Sequence, residues 1–454
     1  MKRFALFAAL LALVGLAAFA QTTGTLTGNV TTDGQPLPGV TVTATSPNLQ
    51  GTRTTYTDVN GNYTLGALPP GAYTVVFELA GMQAVTRQVN VPVGTTARLG
   101  AELAVTAVAE AITVTAEAPA VIETTTIQTN FQEETIEDLP VNRTILGAVN
   151  LAPGVNNEGP NGNMMIAGAP SFDSVYYIDG AAVNENLRGQ PQDLFIEDAI
   201  QETTILTGGI SAEYGRFTGG VVNTITKSGG NEFSGSLRDS FNSDDWRESF
   251  PEEDEVPETD TTEVYEATVG GYVMRDRLWF FTAARYFEEE SIEFLARSTE
   301  FFLPNSQEET RLEGKLTGQI TQNHSLVGTI VDVTSPQIRT FGTPAEASVL
   351  DEREVPEQYW SVNYNGILSP NFLVEAIYAD KHLTFVSSGA EPNAAPFTRE
   401  LFVGGTNVSL RRWGGAWAGA PTFGAQLGDK IRASENLTLK GTYYLSTANL
   451  GTHN

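Results

Sequence analysis

The chain holds few of the side chains that carry out catalytic or metal chemistry. It has no cysteine, and its three histidines, His324, His382 and His453, stand far apart. A thiol nucleophile, a disulfide framework and a Cys-based zinc or iron–sulfur site are therefore excluded. No His-x-x-Glu or His-Glu-x-x-His spacing is present to hold a catalytic zinc. Nor is there a Gly-x-Ser-x-Gly elbow to raise a serine nucleophile, or a Gly-x-x-x-x-Gly-Lys loop to cradle phosphates. Carboxylates are plentiful. Between Asp244 and Asp260 nine acidic residues face one basic residue, Arg247. Clustered carboxylates suit hard cations, but such a run reads first as a solvated surface loop. Asp58-Val59-Asn60-Gly61 opens like a calcium loop and lacks the remaining oxygen ligands and the closing Glu. It reads as a hairpin turn with Gly61 at positive φ. These residues point to no enzyme, no cofactor and no metal site.

What remains is binding, and the charge says what is not bound. Twenty-six Lys and Arg against 54 Asp and Glu leave a formal charge of −28 over 454 residues. Neutralising phosphates requires the opposite balance, so a nucleic-acid partner is excluded. The N-terminus is an export address. Lys2 and Arg3 precede a continuous apolar run from Phe4 to Phe19, and Ala18-Phe19-Ala20 supplies a small-x-small cleavage pattern before Gln21. The run is 16 residues long, short of the ~20 that cross a bilayer as a helix. Residues 1–20 read as a cleaved signal peptide. No further apolar run of spanning length follows, so residence in a membrane would require strands.

The elements are mainly β. From residue 21 to 104 side chains alternate at period two, as in Tyr73/Val75/Phe77/Leu79 and Val85/Arg87/Val89/Val91. Turn pairs such as Asp33-Gly34, Asn60-Gly61 and Pro69-Pro70-Gly71 separate these runs. Roughly seven short strands at this spacing make a β-sandwich. Residues 105–118 form a linker of small and β-branched residues. Beyond Gly229 the alternation lengthens. Leu312/Gly314/Leu316/Gly318/Ile320 alternate with Glu313/Lys315/Thr317/Gln319, and Leu437/Leu439/Gly441/Tyr443 with Thr438/Lys440/Thr442. Apolar-out and polar-in over about ten residues is the signature of a transmembrane barrel strand. Trp279, Phe280, Tyr286, Phe287, Trp360, Tyr443 and Tyr444 at strand ends suit an interfacial aromatic girdle. Arg275-Asp276-Arg277 reads as a short turn, and the stretches 244–260, 340–357 and 388–428 read as long outward loops.

Two segments resemble known families. Gly28-Asn29-Val30, Gly34-Gln35-Pro36-Leu37-Pro38-Gly39-Val40, Thr57-Asp58-Val59-Asn60-Gly61-Asn62-Tyr63 and Leu68-Pro69-Pro70-Gly71-Ala72-Tyr73 resemble the carboxypeptidase regulatory-like (transthyretin-like) domain. Asn150-Leu151-Ala152-Pro153-Gly154-Val155, Tyr176-Tyr177-Ile178-Asp179-Gly180-Ala181, Gly208-Gly209-Ile210-Ser211-Ala212-Glu213-Tyr214-Gly215 and Gly219-Gly220-Val221-Val222-Asn223 resemble the plug of TonB-dependent outer-membrane receptors. The resemblance implies an order: signal peptide 1–20, sandwich 21–104, linker 105–118, small mixed α/β plug 119–229, and the first part of an antiparallel barrel from 230 to 454. It makes Glu110, Ala111, Ile112, Thr113, Val114, Thr115 and Ala116 the candidate TonB box. An inner-membrane energy coupler would pair with this box as an added strand. The plug motif residues are Asp179, Gly180, Glu213, Tyr214, Gly215, Gly219, Gly220 and Asn223. One departure stands out: family members often carry Arg-Gly where this chain has Ala167-Gly168, which would remove a polar plug–barrel contact.

The implied function is energised uptake of a small or oligomeric ligand across the outer membrane of a Gram-negative-type bacterium, with outer-membrane lipid as a second partner. The alternative is a non-transporting outer-membrane adhesion or assembly protein that binds through the sandwich. The family's barrel has about 22 strands, whereas 224 residues follow Gly230. At about ten residues per strand and with long loops, the expectation is eight to ten strands and a partial barrel, as in a fragment of a longer protein.

Overall fold

The computed structural model describes residues 22–105, 126–138, 145–159, 164–185, 189, 196–215, 217–243, 262–294, 302–340, 350–369, 371–386, 397–403, 406–413, 416–417, 430–447 and 451–453. The signal segment, the candidate TonB box and the acidic run 244–260 lie outside the described residues.

Nine strands build the N-terminal sandwich: β1 (Gly24–Thr32), β2 (Gln35–Pro36), β3 (Thr41–Thr45), β4 (Arg53–Tyr56), β5 (Asn62–Leu68), β6 (Gly71–Glu78), β7 (Val85–Val91), β8 (Thr96–Arg98) and β9 (Ala101–Glu102). One sheet runs β2-β1-β5 with β8 and β9 parallel to β1; the other runs β4-β3-β6-β7. The alternation read from the sequence becomes the packing between the sheets. Leu26, Val30, Val42, Ala44, Tyr73, Val75 and Phe77 point inward and are fully or almost fully buried. Tyr63 closes the core edge-on against Phe77 and donates its hydroxyl to Leu99 O at 2.7 Å. Asp58 Oδ1 accepts from the amides of Asn60 (2.8 Å) and Asn62 (2.9 Å). Gly61 takes φ +73°, where an added Cβ would lie 2.4 Å from Val30 O. The hairpin expected here needs correction: the strands this loop joins, β4 and β5, belong to different sheets, so it is a tight turn between the two layers whose carboxylate is used on the backbone.

The plug is a five-stranded sheet in the order β10 (Ile127–Gln132), β15 (Ile200–Gly208), β16 (Val221–Thr226), β13 (Val175–Ile178), β14 (Ala181–Ala182). A small pair, β11 (Val155–Asn156) with β12 (Met165–Ile166), and short helices Glu133–Asp138 and Ile145–Val149 lie beside it. All six residues of the central strand β16 are buried.

The third body is one antiparallel sheet that among the described residues joins ten strands. Its long strands are β17 (Ser234–Asn242), β18 (Thr262–Met274), β19 (Leu278–Phe294), β20 (Phe302–Thr321), β21 (His324–Thr334), β24 (Glu357–Ser369), β25 (Phe372–Phe385) and β29 (Lys430–Tyr443). The hairpin β22 (Pro336–Thr340) and β23 (Leu350–Glu354) joins at β20, and β26 (Phe397–Val403), β27 (Thr406–Trp413) and β28 (Ala416–Trp417) form a separate small sheet. Among the described residues β17 and β29 are the two edges and do not pair with each other. Two- or three-residue turns link β18–β19, β20–β21 and β24–β25 at one end. The long connections, 243–261 and those between β25 and β29, leave from the other end.

The two faces of this sheet differ as the alternation requires. Val269, Val273, Leu312, Leu316, Ile320 and Ile330 are exposed on the outer face. Glu266, Arg311, Glu313, Lys315, Asn363 and Lys381 are buried on the inner face, against the plug. The aromatic expectation needs correction at three positions. Trp279 is fully buried and donates to Asn231 Oδ1 at 2.8 Å. Phe287 shares the inward face of β19 with Arg285, whose guanidinium lies 5.7 Å from its ring. Tyr444 is buried against the sandwich. An odd number of intervening residues, not nearness to a strand end, decides the face, and these three fall on the inner parity. Tyr286, Trp360 and Tyr443 fall on the outer one.

Candidate functional site

The site is the seam between plug and inner wall, and it starts from a two-residue turn. Asp179 and Gly180 join β13 to β14 with φ of +47° and +84°. Two consecutive positive φ values are what a tight right-twisting hairpin needs, and Asp-Gly supplies them at low cost. The turn points the Asp179 carboxylate at the end of β16. It accepts from Thr226 N (3.0 Å) and Thr226 Oγ1 (2.7 Å). On its other side Lys315 of the wall pairs with it at 3.0 Å and also donates to Thr226 O (2.9 Å) and Thr226 Oγ1 (2.7 Å). A plug acid, a plug strand end and a wall base thus close on one another, each almost fully buried.

The same pairing recurs along the seam. Glu197 sits in a 3-10 turn that leads into β15 and meets Arg285 Nη1 at 3.2 and 3.3 Å. Its neighbour Asp198 meets Arg238 Nη1 at 2.6 Å. The wall's own Glu266 lies between these bases, bonded to Arg238 and 3.8 Å from Arg285 Nε. Glu185 pairs with Arg432, and Glu213 with Lys440 Nζ at 2.8 Å. Lys381 donates to Asn184 O. The plug brings the carboxylates and the wall the bases. Apolar contacts fill the gaps, with Ile178 and Val222 packed among Val331, Val333, Tyr359 and Ile377. Burial raises the Glu197 carboxyl to about 8, against the opposing pull of Arg285 and Arg311. Burial likewise raises Glu202, partly offset by its bonds from Val93 N, Asn130 and Thr204, and it raises the phenols of Tyr177 and Tyr214.

The plug residues singled out from the sequence fall into three groups. Asp179 and Gly180 form the turn of the latch. Gly219 and Gly220 lead into β16 and Asn223 lies within it: a Cβ on Gly219 would lie 2.5 Å from Ser174 Oγ, and one on Gly220 would lie 2.2 Å from Ile166 Cγ2 and 2.9 Å from Leu206 O. Asn223 is buried beside Tyr177 in the parallel β13–β16 ladder. Tyr214 and Gly215 form the third group. Tyr177 donates to Tyr214 O at 2.9 Å, and Gly215 turns the chain at φ +75°. Glu213 departs from its neighbours and reaches the wall at Lys440. Ala167 and Gly168 take φ of +53° and +79° in a tight turn, and the polar plug–wall contacts are made elsewhere. Sequence reading missed Glu185, Glu197, Asp198 and the six wall bases, Arg238, Arg285, Lys315, Lys381, Arg432 and Lys440. The available signal was basic residues on the polar parity of the strands, in a chain poor in Lys and Arg.

A mixed domain seated by buried ion pairs on the inner face of an antiparallel sheet, whose outer face is apolar, is the arrangement of a plug against the wall of an outer-membrane-type barrel. Residues 25–104 match the carboxypeptidase regulatory-like domain family, and residues 120–222 match the TonB-dependent receptor plug domain family. The chain is 35% identical over 289 residues to the TonB-dependent transporter Oar of Myxococcus xanthus, covering 59% of this chain and 27% of that protein. Its fold is similar to that of the outer membrane transporter YddB from Escherichia coli, with a TM-score of 0.54 at 15% identity over 70% of this chain and 46% of that one. A variant of the ferric enterobactin receptor PfeA from Pseudomonas aeruginosa matches with a TM-score of 0.49 at 17% identity, over 71% and 46% of the two chains. The chain thus carries, in this order, a carboxypeptidase regulatory-like domain and a TonB-dependent receptor plug domain. It spans about a quarter of the curated relative's length and under half of these solved receptors.

Proposed function

We propose that the protein is an outer-membrane receptor that takes up a ligand through its barrel by moving the plug, with energy supplied by a TonB-type inner-membrane coupler. The observation that carries this reading is the seam itself: five plug carboxylates, Asp179, Glu185, Glu197, Asp198 and Glu213, are each held by a base of the wall. An apolar-only seat would slide at little cost. Discrete buried pairs give a seat that stays closed and releases when pulled, because the hydrogen-bonded geometry of each pair is lost within a displacement of an ångström or two. In this reading residues 1–20 direct export and are removed, and the apolar outer face of β17–β29 meets lipid. Glu110–Ala116, in the linker between sandwich and plug, are where the coupler grips by strand addition. The protein is not read as an enzyme. A binding role confined to the sandwich would leave the ion-paired seam without a purpose.

The test uses the cysteine-free background. Thr113→Cys in cells that carry a coupler with a cysteine in its C-terminal domain should give a disulfide-linked complex, and deletion of residues 110–116 should abolish energised uptake. Absence of the complex, or uptake that survives both the deletion and a protonophore, would sink the reading.

A further inference from the structure

The sandwich is not held at a distance from the rest of the chain. It sits on the short-turn end of the wall, the end that faces the periplasm in outer-membrane barrels. Thr25 Oγ1 and Tyr444 OH share a buried hydrogen bond of 2.8 Å. Thr23 Oγ1 donates to Glu375 Oε1 at 3.2 Å, and Asn363 Nδ2 donates to Thr22 Oγ1 at 3.3 Å. Arg53 donates to Gln322 O in the β20–β21 turn. Between these bonds Ala67, Leu373 and Tyr444 form a small apolar contact. Gly66 lies so close that a Cβ there would be 2.5 Å from Leu373 Cδ2. The sandwich also holds the plug: Val93 N donates to Glu202 Oε1 at 3.0 Å, and Gln201 donates to Pro70 O.

Beneath this contact lies a chamber of about 80 Å³. Its floor includes the Asp179–Lys315 pair, its roof Thr22, Gln50, Arg53 and Pro70 of the sandwich, and its side the inner wall. Thr317 Oγ1, Asn363 Oδ1 and Asn365 Oδ1 line it, are buried, and have no protein partner. Three such atoms in one cavity call for water, and the volume holds several molecules. The chamber is therefore a wet compartment that runs from the plug latch to the sandwich. It lies where material that has passed the plug would leave.

We propose that the sandwich is a lid on the exit of the lumen: docked, it closes the chamber below the plug, and it lifts when the plug is displaced. This rests on the transporter reading for its direction of passage and on the contacts alone for its closure. The mechanical link is Glu202 and Gln201 on β15, since a shift of that strand withdraws two of the bonds that hold the sandwich. The remaining contact is small and largely polar, as expected of domains that separate.

Closure is tested with Asn365→Cys, the sole thiol of the full chain, labelled from the periplasmic side by a small membrane-impermeant maleimide. With the parent sandwich labelling should be slow. Gly66→Asp, which drives a carboxylate against Leu373, should speed it at least tenfold, and adding Leu373→Gly should restore the slow rate. Lifting is tested with Gly66→Cys and Leu373→Cys. A Cβ at 66 lies 3.4 Å from Leu373 Cγ, within reach of a disulfide. The bridge should form at rest, and its yield should fall at least threefold in energised cells and recover with a protonophore. Labelling unaffected by Gly66→Asp, or no bridge at rest, overturns the closed lid. A bridge indifferent to energy, while Thr113→Cys still captures the coupler, overturns the lifting. Loss of that capture with Gly66→Asp still opening the chamber supports the lid and counts against the transporter reading instead.

Discussion

Replacing Asp179 with Asn should loosen the plug by about 3 kcal/mol. Asp179 is 7% exposed and Lys315 5%. At 3.0 Å and an effective dielectric of about 20, their attraction is about 5 kcal/mol before desolvation is subtracted. Removing one partner of a buried pair costs roughly 3–5 kcal/mol, because the other charge stays behind without compensation. Asn keeps an oxygen for Thr226 N, and Lys315 keeps Thr226 O and Oγ1, which holds the cost to the lower end. Lys315→Met should cost about 2 kcal/mol, since Asp179 retains both Thr226 donors. In the double variant no charge is stranded, so the two losses should fall short of adding by about 2 kcal/mol. The plug has no tryptophan, so limited proteolysis of the plug is the suitable assay. In the regime where opening is fast, cleavage tracks the open population, and 3 kcal/mol corresponds to cleavage about 100-fold faster. A single variant within threefold of the parent, or a double variant whose rate is the product of the singles, would refute the latch.

Two further outcomes follow from the seam. Gly220→Ala should destabilise the plug by about 1–3 kcal/mol, because the new methyl meets Ile166 Cγ2 at 2.2 Å and the fixed carbonyl of Leu206 at 2.9 Å; a parental melting temperature would show that β16 can shift to accept it. Glu197 binds its proton more tightly when seated, with the carboxyl raised from 4.5 to about 8. The seated plug then holds more protons at this site than the released one between these values, so the contribution of Glu197 to seating is fullest below about pH 4.5, weakens as pH rises towards 8 and is level above. Glu197→Gln should flatten that slope in proteolysis rates measured from pH 5 to 9; an unchanged slope would assign it to other groups.

Much of the architecture was legible because β-structure writes its faces into the chain at period two. Leu312 to Ile320 and Leu437 to Tyr443 announce an apolar face directly, and Asp179-Gly180 announces its turn because few residue pairs accept two positive φ values. Trp279, Phe287 and Tyr444 were misread because aromatic character near a strand end carries no parity. The seam was hidden for another reason. Glu197 and Arg285 are 88 residues apart, Asp179 and Lys315 136, and Glu185 and Arg432 247. Nothing local distinguishes such a residue from a solvated one.

The sequence by itself determined the order of the bodies, the strand character of nearly all of them, the absence of cysteine chemistry and several of the turns. These are properties of neighbours, set by backbone preference and by the alternation of side chains. Only the tertiary structure decided which carboxylates of a chain with 54 acids are buried against which of its 26 bases, and that the sandwich rests on the wall over a wet chamber. Pairing across a seam depends on two surfaces meeting in three dimensions. Desolvation then turns an ordinary surface charge into one that must have a partner.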